Sequence, residues 1–262
     1  MTRPKIILLG DSITQLSFSS DHGFGAAICD AYQRRADVLN RGYSGYNTEW
    51  ILKLLETKKA DVFANDPKNV VLMTVFLGAN DASSSAFNPR QHVPLPKYKE
   101  NLKQIVSVIR HECGDAVKII IIGPPPIHHE ARLRYQVERY GEKATGKLER
   151  TCGLAGDYSN AAREAADEIN VPFLNLWKDM LEEENWQSFL SDGLHLSGEG
   201  NKFVGEKLLE FISMHFPSLS VSGCKITGHY GTSGSKCEDL LQMGPWHDEI
   251  NHRDVGKAFD QM

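Results

Sequence analysis

No apolar run in the chain approaches the ~20 residues that span a bilayer, and no charged, apolar and small-residue leader series precedes the strand-like stretch that begins at Lys5. The expectation is a cytosolic protein without a membrane span. Excess positive charge is missing too, since 29 Lys and Arg stand against 34 Asp and Glu. With no dense basic block there is no electrostatic footprint for nucleic acid or an anionic membrane. Cysteine is sparse and ungrouped: Cys29, Cys113, Cys152, Cys224 and Cys237 are odd in number and lack Cys-x-x-Cys spacing. That usage suits reduced thiols in a reducing compartment, with Cys224 and Cys237 pairing only if oxidised. No third Cys, His or carboxylate joins Asp192 and His195 at metal-ligand spacing, so neither metal nor cofactor is expected. Internal repeats are absent.

What is present is a regular alternation. A chain of 262 residues accommodates one α/β domain with a full core. Five runs read as strands: Lys5–Leu9, Asp37–Asn40, Asn69–Leu77, Val117–Ile122 and Val171–Leu176. Their continuous β-branched and aliphatic character, without strict polar alternation, suits parallel strands covered on both faces. Pro172 lacks a ladder donor and predicts an edge position for the fifth. Helical periodicity fills the gaps at Gly25–Arg35, Thr48–Lys58, Tyr98–His111, Ala155–Ile169 and Gly200–Phe216. Such alternation builds βαβ units with right-handed crossovers. It predicts a three-layer α/β/α sandwich on a five-stranded parallel sheet in the flavodoxin-like order 2-1-3-4-5. This domain is expected over residues 1–217. Residues 218–262, rich in Gly and Ser with Pro245-Trp246 near the end, read as a loop or packing arm.

Four short motifs fall where such a sheet gathers its chemistry, outside the carboxyl ends of strands. Gly10-Asp11-Ser12 follows the first strand, and Gly45 precedes the helix that opens near Thr48. Gly78-Ala79-Asn80-Asp81 follows the third strand, and Asp192-Gly193-Leu194-His195 lies just before the last helix. Ser12 is a candidate nucleophile, although a serine in that position can equally cap a helix. A carboxylate three residues before His195 can accept from one imidazole nitrogen and turn the other toward a hydroxyl. Taken singly, the Asp-x-x-His loop is also what a polar surface turn would look like. Acyl transfer needs donors aimed at a developing oxyanion. The Asn80 side-chain amide and the Gly45 amide, among the unpaired groups of a helix start, are candidates. Either motif alone would serve as a turn.

The four blocks together resemble the SGNH, or GDSL-type, hydrolase superfamily, in matching order over positions 10 to 198. Within it, Asn40–Thr48, Phe76–Ala82 and Gly123-Pro124-Pro125-Pro126 are most similar to the isoamyl acetate-hydrolysing esterases. The resemblance implies Ser12 as nucleophile, His195 as base and Asp192 as its partner. It also implies an oxyanion hole from the Ser12 amide, the Gly45 amide and the Asn80 side chain. Pro245-Trp246-His247-Asp248 is similar to the Pro-x-Trp tail of that subgroup, but the stretch Ser220–Lys236 intervenes here.

The implied activity is a serine esterase on small-molecule, short-chain (acetate-type) esters. Another acyl hydrolase (lysophospholipase, thioesterase or sugar deacetylase) and a non-catalytic binding protein on the same fold are the competing classes. Phe18, Phe24, Phe87 and Ile127 are the expected substrate contacts, while His128 and His129 read as solvated loop residues. The polar tail is expected to close over its own site or a partner's, in a homodimer, limiting the acyl chain.

Overall fold

The computed structural model describes residues 3–221 together with 240, 250, 251, 253, 254, 256 and 257. Five parallel strands form one sheet in the order β2-β1-β3-β4-β5, as the sequence predicts. In chain order the elements are β1 (Lys5–Gly10), α1 (Ser12–Gln15), α2 (Phe24–Ala31), β2 (Asp37–Gly42), α3 (Thr48–Val62) and β3 (Val70–Phe76). Then follow α4 (Leu95–Cys113), β4 (Lys118–Ile122), α5 (His129–Tyr140), α6 (Cys152–Glu168), β5 (Phe173–Leu174), α7 (Leu176–Leu181) and α8 (Gly198–His215).

Alternation along a strand sends successive side chains to opposite faces, and here both faces are apolar. Ile7 and Leu9 of β1, Met73 and Val75 of β3, and Ile119 and Ile121 of β4 enter one core. Ile51 and Leu55 of α3, Leu102, Ile105 and Ile109 of α4, and Ala161, Ala162, Ala165 and Ala166 of α6 complete it. The intervening residues Ile6, Leu8, Leu72, Phe76, Ile120 and Ile122 enter the second core, under Phe24 and Ile28 of α2 and Val204, Leu208 and Ile212 of α8. This is why the strands read as unbroken apolar runs rather than alternating ones.

Three differences from the sequence reading have local causes. β5 is confined to Phe173–Leu174, at the sheet edge, because Pro172 cannot donate and contributes only its carbonyl, which accepts from the Ile121 amide at 3.1 Å. β2 runs on to Gly42, carried by pairing with β1 through Arg41 and Gly42 rather than by apolar character. α5 forms in a stretch that offers little apolar periodicity. Val137 and Tyr140 stay exposed while the polar Arg132 and Gln136 are buried, so its burial pattern inverts the usual signal.

The ends of the helices fix the site loops. Asn47 caps α3 by accepting from the Trp50 amide (3.0 Å), Thr151 caps α6 through Leu154 (3.1 Å), and Ser197 caps α8 through Gly200 (3.1 Å). Beyond α8, Tyr32 Oη donates to the Leu219 carbonyl at 2.8 Å and Arg35 Nη1 to the Leu240 carbonyl at 2.9 Å. Leu240 itself is buried in the second core. The expected roles of Trp246 and of a Cys224–Cys237 pair lie outside the described residues. Among the described residues, no helix is long and apolar enough to cross a membrane.

Candidate active site

All four sequence blocks converge at the carboxyl edge of the sheet. Ser12 opens α1 one residue after Asp11, whose carboxylate accepts from the Ile13 amide at 2.9 Å and so sets the turn out of β1. Asp192 and His195 lie on the loop between α7 and α8. That loop is shaped from within, because Asp192 Oδ1 accepts from the Leu194 amide at 3.0 Å and the His195 amide at 2.8 Å. Gly193 adopts φ +80°, and a Cβ there would stand 2.4 Å from the His128 carbonyl oxygen and 2.5 Å from the Arg132 nitrogen. Only glycine permits that conformation and that approach.

The result is a continuous hydrogen-bonded row. His195 Nε2 lies 2.9 Å from Ser12 Oγ, and His195 Nδ1 lies 2.8 Å from Asp192 Oδ2. Burial by itself would raise the Asp192 carboxyl. The hydrogen bond and charge of His195, aided by the two backbone amides, outweigh it and hold the group down at about 2. Asp192 is therefore a carboxylate throughout the neutral range. Ser12, Gly45, Asn80 and His195 share one cleft of about 440 Å³. Gly45 sits at φ +80°, turning the chain from β2 into α3.

Asn80 is held on both sides of its amide. Its Oδ1 accepts from Arg150 Nη2 (2.9 Å) and Gln91 Nε2 (3.1 Å), while its Nδ2 donates to the Tyr46 carbonyl (2.8 Å). Below it lie two carboxyl groups with less than 2 % exposure, Asp11 and Asp81. Burial pushes Asp11 up to about 6 and Asp81 up to about 7. Thr48 partly opposes the rise at Asp81, donating both its amide (3.0 Å) and its hydroxyl (2.5 Å) to Oδ1.

The expected apolar contacts are corrected by the structure. Ile127 is buried in the second core and Phe24 packs there against Phe76, so neither reaches the cleft. Phe87 turns outward under the Lys147 ammonium, and Phe18 lies against Gly25. The cleft is instead lined mainly by polar groups, Gln91, Arg132, Glu149 and Arg150 among them, with Trp50 and Leu194 as apolar walls. Apart from Leu194, which lies inside the Asp192–His195 block, none of these stood out in the sequence. Arg132, Glu149 and Arg150 lie on or beside charge-rich stretches that are ordinarily a solvated surface; the sequence signal that could have fixed Arg150 is the residue after it, Thr151, a helix-capping type that does cap α6. His128 and His129 diverge: one ring meets Trp186 edge-on, and the other accepts from the Cys152 amide at 2.8 Å. Among the described residues no three His, Cys, Asp or Glu side chains converge as a metal site.

Residues 6–208 match the GDSL-like lipase/acylhydrolase family. The chain belongs to that family. A GDSL esterase/lipase of Arabidopsis thaliana is 43% identical over 99% of this chain and 98% of its own length. The human isoamyl acetate-hydrolyzing esterase 1 homolog is 39% identical over 82% of this chain and 84% of its own. Among solved structures, a lipase/acylhydrolase from Enterococcus faecalis superimposes with a TM-score of 0.60 at 26% identity, covering 80% of this chain and 96% of that one. The protein is thus a carboxylic ester hydrolase of the GDSL, or SGNH, type.

Proposed function

We propose that this GDSL hydrolase is a serine esterase for short-chain, acetate-type esters. The observation that carries the reading is the Ser12–His195–Asp192 row: a 2.9 Å contact between Ser12 and His195, 183 residues apart in sequence, continued by a 2.8 Å contact to Asp192 on the loop of His195. Ser12 Oγ attacks the ester carbonyl as its proton passes to His195 Nε2. Asp192, still a carboxylate, steadies the imidazolium. The carbonyl oxygen becomes an oxyanion facing the Ser12 amide, the Gly45 amide and Asn80 Nδ2, which keeps the Tyr46 carbonyl (2.8 Å) and exchanges its long contact with Asp11 Oδ2 (3.4 Å) for the oxyanion; such donors are often worth about 3 kcal/mol each. Collapse breaks the ester C–O bond, the alcohol leaves with the proton from Nε2, and an acyl group remains on Ser12. Water then attacks that acyl group by the same route, giving the acid and free Ser12.

A cleft of this size with few apolar walls suits a small acyl group better than a long one. Its polar lining also favours a second reading, removal of acetyl groups from a sugar. The isoamyl acetate activity in the name of the human relative points to small neutral esters. The protein is also proposed to act as a homodimer in the cytosol; of the tail expected to close over the cleft, Leu219 and Leu240 pack instead into the second core, and most of the rest lies outside the described residues. No metal takes part in this scheme.

A fluorophosphonate should label the native protein and not Ser12→Ala, and the alanine variant should lose turnover while keeping its fold. Hydrolysis of p-nitrophenyl esters should fall from acetate to palmitate and survive a chelator. Labelling of Ser12→Ala, or a preference for palmitate, would overturn the reading. Acetate released from an acetylated sugar far faster than from the aryl ester would favour the deacetylase. Mass in solution tests the homodimer.

A further inference from the structure

Between β4 and α6 the chain makes a charged excursion, α5 and the residues up to Thr151, that closes one wall of the cleft. Its backbone is tied down where the Ser84 amide donates to the Glu149 carbonyl at 2.7 Å. Glu149 Oε1 accepts from Arg132 Nη2 at 2.5 Å and from Arg150 Nη1 at 2.6 Å. Both arginine side chains are almost fully buried, at 5% and 4% exposure. Each then continues to one half of the site. Arg132 Nη1 donates to Asp192 Oδ2 at 3.2 Å, the oxygen that also holds His195. Arg150 donates to the Ala79 carbonyl (2.9 Å), Asn80 Oδ1 (2.9 Å) and Gln91 Oε1 (2.7 Å). Gln91 in turn donates to the Gly45 carbonyl at 2.8 Å.

These two cations are not spare charge awaiting an anionic substrate. Two arginines face two carboxylates, Glu149 and Asp192, and the set is neutral while His195 is neutral. Burying it requires that balance, because a buried ion left without its partner costs far more than the pair gains. With donors from Arg150 and Gln91 on Oδ1, the Asn80 amide has one orientation, which commits Nδ2 to the opposite side. The Asp192–His195 pair and the oxyanion donors are thus linked through a single side chain.

We infer that Glu149 is a positioning residue, holding the base side and the oxyanion side of the site in one electrostatic frame. The inference rests on the proposed roles of Ser12, His195, Asp192 and Asn80. Glu149→Gln keeps the size but removes the charge, leaving Arg132 and Arg150 uncompensated. The charged groups facing His195 are Asp192 on its own loop, Asp11 from the β1–α1 turn, Arg132 of α5 and, across the cleft, Glu149 and Arg150; His128 is the nearby titratable neighbour on the segment that Gly193 abuts. Removing one negative charge from this set disfavours an imidazolium, and Arg132 turns more fully to Asp192, loosening its hold on His195.

The test compares wild type, Glu149→Gln and Glu149→Asp in kcat, KM and the pH profile of kcat/KM, with fluorophosphonate labelling and a thermal melt alongside. Glu149→Gln should lose roughly tenfold or more in kcat with KM within about threefold. Its acid limb should move to lower pH by roughly half a unit, and Glu149→Asp should recover both toward wild type. Wild-type kcat in Glu149→Gln overturns the inference, as does a loss confined to KM or a loss with the acid limb unmoved. Should Glu149→Gln not fold, Arg150→Lys keeps the charge but loses the fork to Ala79, Asn80 and Gln91. Its kcat should fall with the acid limb in place, and an unchanged kcat overturns the frame. A wild type that is neither labelled nor active would instead sink the esterase reading on which the inference stands.

Discussion

Two carboxyl groups buried beneath Asn80 make stability depend on pH. Asp81 sits near 7 in the fold against an ordinary 3.8, because burial disfavours its charged form more than the Thr48 hydrogen bonds favour it. A raised carboxyl is stabilising only while protonated. Its contribution is therefore greatest below the ordinary carboxylate range and declines as pH rises from about 4 through about 7. Asp11, near 6 from the same cause, acts in the same direction over a slightly narrower window. Asp192 has the opposite sign, since its depressed value stabilises at neutral pH and that stability is lost only as pH falls toward 2. Asp81→Asn, uncharged at every pH, should therefore flatten the decline in melting temperature between pH 5 and 8. Melts at four pH values decide it. An unchanged slope would mean that Asp81 ionises in the fold as readily as in the unfolded chain.

At the scale of elements, the α7–α8 loop carries the tightest constraint. Its geometry depends on Gly193 at φ +80°, pressed against the backbone of His128 and Arg132 at the start of α5. Gly193→Ala adds both a strained conformation and an overlap with backbone atoms that cannot rotate away. The loop must shift, moving Asp192 and His195 relative to Ser12. A displacement near 1 Å costs on the order of 10²-fold in turnover. Gly193→Ala is thus expected to lose about 10²-fold in kcat while the sheet, seen by far-UV circular dichroism, persists. Wild-type turnover would show that the loop accommodates a Cβ. The same loop ends at Ser197, whose cap on α8 anchors its far side.

Across the whole molecule, the core reaches past the last helix. Leu240 is 1% exposed and packs into the second core, with its carbonyl held by Arg35 just before β2. Leu240→Ala should destabilise the protein by about 2–4 kcal/mol through lost burial and the cavity left behind. Urea denaturation measures this, and a change below about 1 kcal/mol would mean that the core closes without it.

The residues determined a good deal unaided. Unbroken Val, Ile and Leu runs spaced by helical periodicity suffice for a parallel five-stranded sheet, because both faces must be covered. Ser12, Gly45, Asn80, Asp192 and His195 stood out as candidates because each is, or lies within two residues of, a glycine at a strand end or before a helix; that they meet in one place is what the fold adds. Tertiary structure alone decided the rest of the cleft. Ile127 and Phe24 went to the core because an apolar side chain near a site is drawn inward unless something keeps it at the surface. Arg132, Glu149 and Arg150 went inward although their charge suggested solvent. Their burial depends on partners that no local pattern encodes: Asp192 lies 60 positions from Arg132, and Asn80 lies 70 positions from Arg150. A buried charge is tolerable only once folding has brought its counter-charge alongside.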